Sequence, residues 1–456
     1  DPSNAAAYNN LGIALKESGQ TGEAISCFQK AIELNPELFA SYYNLGTVYK
    51  EKGQLDEAAS YYQKFLELNP VSAAAYNSLG LVFQEKGEFD RAVGCYRKAL
   101  EFNPSDAAIY NNLGTALKEK GQIDEALTCF EKSLEIDPND TALNQIFEIS
   151  YIILKNGDLT RGWSLYWKFN DSYWQKRIPD KRMWDACDIR GLTILLQSDA
   201  GFGDTVQFVR YAPMIAERGA RVILNCQREL ISLLQSVEGL ERVIEKIQRS
   251  EFDIFIPIRR LPLVFRTTIE TIPANIPYIR PNPVMVQKWK DKIRHDTADL
   301  KLGLVWAAGH DDRNRSYPLD LFSPLAGLEN TTFYSLQVGL HASDAKNPPE
   351  GMKIVDHTEE LKDFSETAAL IENLDLIVSV DTVVAHVAGA LGKPVWTLLP
   401  FIADSRWLSD REDSPWYPTM KLFRQPSPCD WKSVISRVGE NLQALINGDI
   451  SYLSAS

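Results

Sequence analysis

The sequence predicts an α-helical solenoid followed by an α/β region built on two parallel sheets. Five prolines (Pro2, Pro36, Pro70, Pro104 and Pro138) recur at 34-residue steps, each behind Asp or Asn. A fixed period of this length marks stacked helical repeats. After Pro138 the period slips. From Thr193 onward short apolar runs alternate with helix-like stretches, the pattern of parallel sheets covered by helices.

Within each repeat a large residue, Leu, Gly and another large residue fall at i, i+3, i+4 and i+7, as in Tyr8, Leu11, Gly12 and Leu15. That spacing is one face of a helix. Gly12, Gly46, Gly80 and Gly114 let a partner helix approach. A Gly-containing turn follows, and a second helix buries Ala24 and Phe28 or their equivalents Ala58/Tyr62, Ala92/Tyr96 and Ala126/Phe130. The Asn/Asp-Pro pair stops that helix and restarts the next. The pattern resembles the tetratricopeptide repeat, with four copies over residues 1–138. Phe65 and Ser133 depart from it, standing where Ala31 and Ala99 stand in their own repeats. Residues 139–190 read as a fifth, degenerate capping repeat and linker. Its Trp163, Tyr166 and Trp167 suit a cap or a docking surface. Asn10, Asn44 and Asn112 share one position on the first helix, with Ser78 breaking the row. Their amides suit an extended peptide backbone, to which they offer donor and acceptor; they equally suit hydrogen bonds from helix to helix.

Composition bounds the function. A net charge of −13 argues against nucleic acid or an anionic membrane as partner. No apolar run approaches the ~20 residues that span a bilayer, and no signal segment opens the chain. The chain begins on a repeat boundary, which leaves room for upstream repeats and for a targeting signal. Cys27, Cys95 and Cys129 occupy one repeat position, so they read as packed helix face, and the six cysteines contain no CxxC pair. A reducing, cytoplasmic setting is expected.

In the second half Thr193–Ser198, Arg221–Cys226, Phe252–Ile258, Lys301–Ala307, Thr332–Gln337, Leu374–Val380 and Pro394–Leu399 read as strands. Val206–Arg218, Phe364–Asn373, Thr382–Leu391 and Trp431–Ile446 read as helices. The proline-containing stretch near Pro281 separates two Rossmann-like lobes, residues 191–284 and 285–456, with a cleft between them.

Three strand exits carry chemistry. Asp199–Thr205 (DAGFGDT) is a Gly-rich strand-to-helix turn where Gly203 lets a ligand approach the backbone and the helix N-terminus favours anions. Asp204 is alternatively the helix cap. Ser379–His386 brings Asp381, Thr382 and His386 to the carboxyl end of a strand, where open sheets bind ligands. Backbone N–H groups, the Thr382 hydroxyl and His386 can meet a diphosphate; in the plainer reading Asp381 or Thr382 caps the helix and His386 packs on the sheet. His310–Pro318 carries Arg313 and Arg315, whose paired N–H donors suit phosphate, although a solvated charged loop also fits.

These segments, with Gly303–Ala307, Gly389–Pro394 and Asp413–Pro418, resemble the bacterial heptosyltransferase family, glycosyltransferase family 9, and its sub-group fused behind tetratricopeptide repeats. The resemblance implies a GT-B fold, a nucleotide-diphosphate sugar on the C-terminal lobe, an acceptor on the N-terminal lobe, and no metal or other cofactor; the sequence has no convincing Asp-x-Asp motif. It further implies Asp204 as general base, Arg315 as the basic residue facing the departing diphosphate, and Thr382 and His386 in the phosphate-contacting loop and helix. Val383 departs from the glycine the family often has after Asp-Thr. Trp407 and Trp416–Pro418 receive no assigned role.

The expectation is a metal-independent, cytoplasmic glycosyltransferase whose solenoid recruits a protein or peptide. Two other readings stand beside it. One is an interaction scaffold with an inactive or nucleotide-sensing transferase-like domain. The other is protein glycosylation of the O-linked N-acetylglucosamine transferase type, which shares the architecture but whose catalytic-lobe motifs are not found here.

Overall fold

The computed structural model describes residues 3–199, 201–309 and 315–453. The chain divides into two compact units, Asp1–Ile149 and Ser150–Ser456.

The first unit is a helical stack. Helices Ala5–Glu17 and Thr21–Leu34, Phe39–Glu51 and Leu55–Leu68, Ala73–Glu85 and Phe89–Phe102, and Ala107–Glu119 and Ile123–Ile136 form four antiparallel pairs. The close approach is tight: a Cβ on Gly80 would lie 2.5 Å from Tyr96 Cε1. The turn inside each pair ends on a left-handed residue, as at Gly53 with φ +73°, which glycine adopts without steric cost. Asn35, Asn69, Asn103 and Asp137 close the second helices. The restart comes later than the Asn/Asp-Pro pair, where Ser72 and Asp106 accept from the amides of Ala75 and Ile109 and so cap the helix. Ser133 fits an alanine slot because its buried hydroxyl donates to Ala107 O at 2.7 Å. Phe65 fits through edge contact with Phe39, centroids 5.4 Å apart. Burial pushes the Cys95 and Cys129 thiols up to about 11, in keeping with packed side chains.

The second unit holds two all-parallel sheets. Strands β1 (Arg182–Met183), β2 (Thr193–Gln197), β3 (Arg221–Asn225), β4 (Leu240–Ile244) and β5 (Ile254–Pro257) form the first, in the order β1-β5-β2-β3-β4. Strands β6 (Leu300–Val305), β7 (Thr331–Ser335), β8 (Ile354–Asp356), β9 (Leu376–Val380), β10 (Val395–Leu399) and β11 (Met420–Arg424) form the second, in the order β11-β10-β9-β6-β7-β8. These are the two lobes of a GT-B arrangement. The seven central strands are those the apolar runs predict, whereas the edge strands β1, β4, β8 and β11 carry weaker patterns. The helix expected over Val206–Arg218 instead begins at Phe202 and breaks into Phe202–Phe208, a 3₁₀ turn Val209–Tyr211, and Ala212–Ala216. Pro213 lacks the N–H that would continue the ladder.

Helix Leu159–Arg177 docks on the first lobe. Trp167 Nε1 donates to Arg259 O at 3.3 Å, and the Arg260 guanidinium forks onto the Asp171 carboxylate at 2.8 and 2.5 Å. Trp163 packs edge-on against Phe208, centroids 5.9 Å apart. Among the described residues no helix is long and apolar enough to cross a membrane.

Candidate functional site

Helix Phe202–Phe208 at the exit of β2 lies against helix Val383–Ala390 at the exit of β9. Gly203 makes this possible, since a Cβ there would sit 2.7 Å from His386 Cδ2. The contact closes one end of a cavity of about 330 Å³ lined from the first lobe by Gly201, Gly203 and Asp204, and from the second by Arg315, Asp381, Thr382, Val383, His386, Asp404 and Arg406. Every candidate of the two strand-exit motifs therefore meets in one cleft. Residues 310–314, including Arg313, lie outside the described residues.

Asp204 is not the helix cap. That position belongs to Gly201, and Asp204 stands in the first turn. Its Oδ1 accepts from Arg406 Nη2 at 2.7 Å. Thr382 holds the cap position of the opposite helix without a side-chain cap bond, with its hydroxyl 3.2 Å from Ser379 Oγ. Asp381 is buried, and burial raises its pKa. Arg315 Nη1 donates to Asp381 O at 3.3 Å and lies 4.0 Å from Asp381 Oδ2.

Arg406, which no sequence motif flagged, is the hub. It also donates from Nε to Asp404 Oδ1 and from Nη1 to Gln207 Oε1, both at 2.9 Å. Burial would raise the Asp404 pKa, but the Arg406 charge and hydrogen bonds hold it at about 2. His386 is 2% exposed. Its Nδ1 lies 2.9 Å from Tyr417 Oη, its Nε2 3.4 Å from Arg406 Nη1, and its ring stacks on Trp407. A guanidinium only donates, so Nε2 accepts and Nδ1–H donates to tyrosine. Burial, then the Arg406 charge, pushes the imidazole pKa well below 6.5, which keeps the ring neutral. Trp407 is thus buried behind His386. The signal that could have found Arg406 is its place at the exit of β10, the same position in the sheet that singled out Asp381.

A second interlobe cation fixes the frame. Buried Arg210 donates to Trp416 O at 2.5 Å and to Tyr278 Oη at 2.9 Å, and its guanidinium lies over the Tyr417 ring. Among the described residues no group of three or more His, Cys, Asp or Glu side chains is placed to hold a metal ion. In the first unit Asn44 and Asn112 donate to Asn9 and Asn77 of the preceding repeats at 2.9 and 3.0 Å, while Asn10 is exposed.

Tetratricopeptide-repeat models match residues 14–53, 37–105 and 71–139. The model of glycosyltransferase family 9 (heptosyltransferase) matches residues 286–407, which include all the second-lobe residues of the cleft. Protein FlbA of Caulobacter vibrioides is 26% identical over 328 residues, 65% of this chain and 54% of its own. The chain thus spans about half the length of that relative. Among solved structures, MamA is 33% identical over 30% of this chain and 81% of its own, with a TM-score of 0.30. The first repeat domain of Spaghetti, bound to an HSP90 peptide, is 24% identical over 25% of this chain and 92% of its own, with a TM-score of 0.25. The chain carries tetratricopeptide repeats followed by a glycosyltransferase family 9 (heptosyltransferase) domain.

Proposed function

We propose that the second unit transfers a sugar from a nucleotide-diphosphate donor, and that the repeats recruit a protein or peptide. The carrying observation is that Asp204 of one lobe and Arg315, Thr382 and the start of helix Val383–Ala390 of the other line one cleft. Backbone N–H groups at that helix start and the Arg315 guanidinium offer the donors that a diphosphate needs. As the anomeric bond to the diphosphate breaks, Arg315 offsets the charge left on phosphate oxygen. Asp204 takes the proton of the acceptor hydroxyl as its oxygen attacks the anomeric carbon. For this the carboxylate must turn a lone pair from Arg406 toward the acceptor. His386, neutral and buried, positions the helix and Arg406 rather than moving a proton.

The test is a thermal-shift screen of the full chain against nucleoside diphosphates and their sugars, since a ligand specific for the folded state raises apparent stability. Arg315→Ala should weaken diphosphate binding more than nucleoside binding; equal loss for both counts against the placement. A second reading is favoured by one observation: Asp204 is already paired with Arg406, as suits a domain that senses a nucleotide without turnover. Binding without transfer or donor hydrolysis would select it.

A further inference from the structure

The Asp413–Pro418 segment, one of the motifs that stand out in the sequence, places Tyr417 in the interior of the second unit, 0% exposed. Gly389 of helix Val383–Ala390 makes room for it, since a Cβ there would stand 2.6 Å from Tyr417 Cδ1. Arg210 holds it from the other lobe. It donates to the carbonyl of the preceding Trp416 at 2.5 Å, and its Cζ lies 4.6 Å from the Tyr417 ring centroid. The ring is thus fixed on both sides.

The hydrogens of this interior can be placed one by one. A guanidinium stands at each end, and a guanidinium only donates. At one end Arg210 Nη2 donates to Tyr278 Oη at 2.9 Å, and the Tyr278 hydroxyl donates its own hydrogen to Val206 O, also at 2.9 Å. Tyr278 can therefore only accept from any further group. The Tyr417 hydroxyl hydrogen-bonds to it, so Tyr417 is the donor of that bond. Burial above all raises the Tyr417 pKa well above the ordinary tyrosine value, and the hydroxyl keeps the hydrogen it donates. At the other end Arg406 Nη1 lies 3.4 Å from His386 Nε2, which accepts. His386 is left with Nδ1–H, 2.9 Å from Tyr417 Oη. The hydrogens of His386, Tyr417 and Tyr278 all run one way, toward Val206 O on the helix that carries Asp204.

We infer that Tyr417 and Tyr278 are positioning residues that lock His386 as its Nδ1–H tautomer and so hold Arg406 against Asp204. The other tautomer would aim Nε2–H at Arg406, two donors facing each other with no acceptor between them, and a buried donor left unmet is costly. Arg406 would have to withdraw, and the same guanidinium makes the 2.7 Å bond to Asp204 Oδ1. A loosened Arg406 leaves the Asp204 carboxylate without a fixed direction. The bearing on rate rests on the proposed function; the tautomer itself does not.

The experiment is long-range ¹H–¹⁵N NMR of the full chain labelled with ¹⁵N-histidine. The chain has five histidines, and His386→Gln identifies one signal set by its loss. Wild type should show His386 protonated on Nδ1 and bare on Nε2. Tyr417→Phe removes the acceptor of Nδ1–H, and Tyr278→Phe frees the Tyr417 hydrogen to turn onto Nδ1. Each should move His386 largely to the Nε2–H tautomer. Tyr278→Phe leaves the Tyr417 ring in place, so it serves if Tyr417→Phe misfolds. In both variants turnover of the donor identified by thermal shift should fall about tenfold, within the ~10²-fold that a misplaced group can cost. Nucleoside diphosphate affinity, by calorimetry, should stay within about twofold. A wild-type ring protonated on Nε2, or a tautomer that persists in both variants, overturns the lock. A tautomer that moves while turnover holds overturns the positioning role. A tautomer that moves in a protein that binds no diphosphate leaves the lock standing and removes the proposed function. Diphosphate binding and turnover with an unmoved tautomer do the reverse.

Discussion

Arg406 Nη2 lies 2.7 Å from Asp204 Oδ1, a hydrogen-bonded ion pair that joins the two lobes across the cleft, with side-chain exposures of 19% and 15%. Arg406 also faces Asp404, and burial, which would lower its pKa, is outweighed by the neighbouring carboxylates, which hold it well above the usual arginine value. One side chain thus holds the lobes, orients Gln207 and stands on the candidate base.

Arg406→Met should therefore destabilise the second unit by about 3 kcal/mol, the lower end for breaking a buried pair, given the residual exposure. Urea denaturation reads this directly. Asp204→Asn in the same chain should add less than its separate cost, since the two residues share a contact. Strict additivity would mean that the pair does not couple the lobes.

Gly203→Ala tests the lobe contact. The new Cβ meets His386, which cannot yield because Tyr417 and Trp407 hold it from other sides. Overpacking of this kind costs about 1–3 kcal/mol, and the widened contact should lower nucleoside diphosphate affinity in the same variant. An unchanged urea midpoint would show that the helices simply slide apart.

The repeats were legible because each position recurs, so the glycine and its aromatic partner announce themselves four times. The central strands were legible as continuous apolar runs buried on both faces. Edge strands were not: Arg182–Met183 is two residues long, and β4 buries little beyond Val243. In the cleft Asp204, Thr382 and His386 could be read because each follows a strong strand within a motif of small residues. Arg406 offered only its place beyond β10, because its importance lies in reaching Asp204 some two hundred positions away in sequence. Asp204 also looked like a helix cap, since sequence alone does not show that the helix starts at Phe202.

The buried imidazole predicts an acid limb. Its pKa is lowered by burial and the Arg406 charge, so the unfolded chain binds the proton more readily than the folded one. Stability is then complete above about 6.5 and falls as pH drops below it, by up to ~1.4 kcal/mol per pH unit. The sign is opposite for Asp381, whose raised pKa makes its ionisation a cost that acid relieves. Comparing wild type with His386→Gln cancels that term. The variant should lack the fall between pH 6.5 and 5 in urea titrations; an identical slope would place the titrating group elsewhere.

The solenoid offers a paired test. Asn9 Oδ1 accepts from both Ser41 Oγ and Asn44 Nδ2, at 3.1 and 2.9 Å. Asn9→Ala strands both donors and should cost about 1–3 kcal/mol. Exposed Asn10→Ala should stay within about 0.5 kcal/mol yet weaken peptides selected on the wild-type repeats by phage display. Full retention of peptide affinity would leave the asparagine row a purely internal device.

Asp204→Asn bears most directly on the chemistry. Asparagine keeps an oxygen for Arg406 and the same size, and the helix start is unaffected because Gly201, not Asp204, is its cap. What it loses is the capacity to take a proton. Removing a positioned base typically lowers rate by about 10²–10⁴. Nucleoside diphosphate affinity should hold, because Arg315, Thr382 and the opposite helix start remain. Two measurements separate the outcomes: calorimetry for the diphosphate, and turnover of the donor identified by thermal shift. Normal binding with turnover reduced at least a hundredfold supports the base. Normal binding with full turnover makes Asp204 an anchor for Arg406 alone. Loss of both, with Asp204→Glu restoring fold but not rate, still assigns the carboxylate to the reaction, because the longer side chain keeps the ion pair while moving the base.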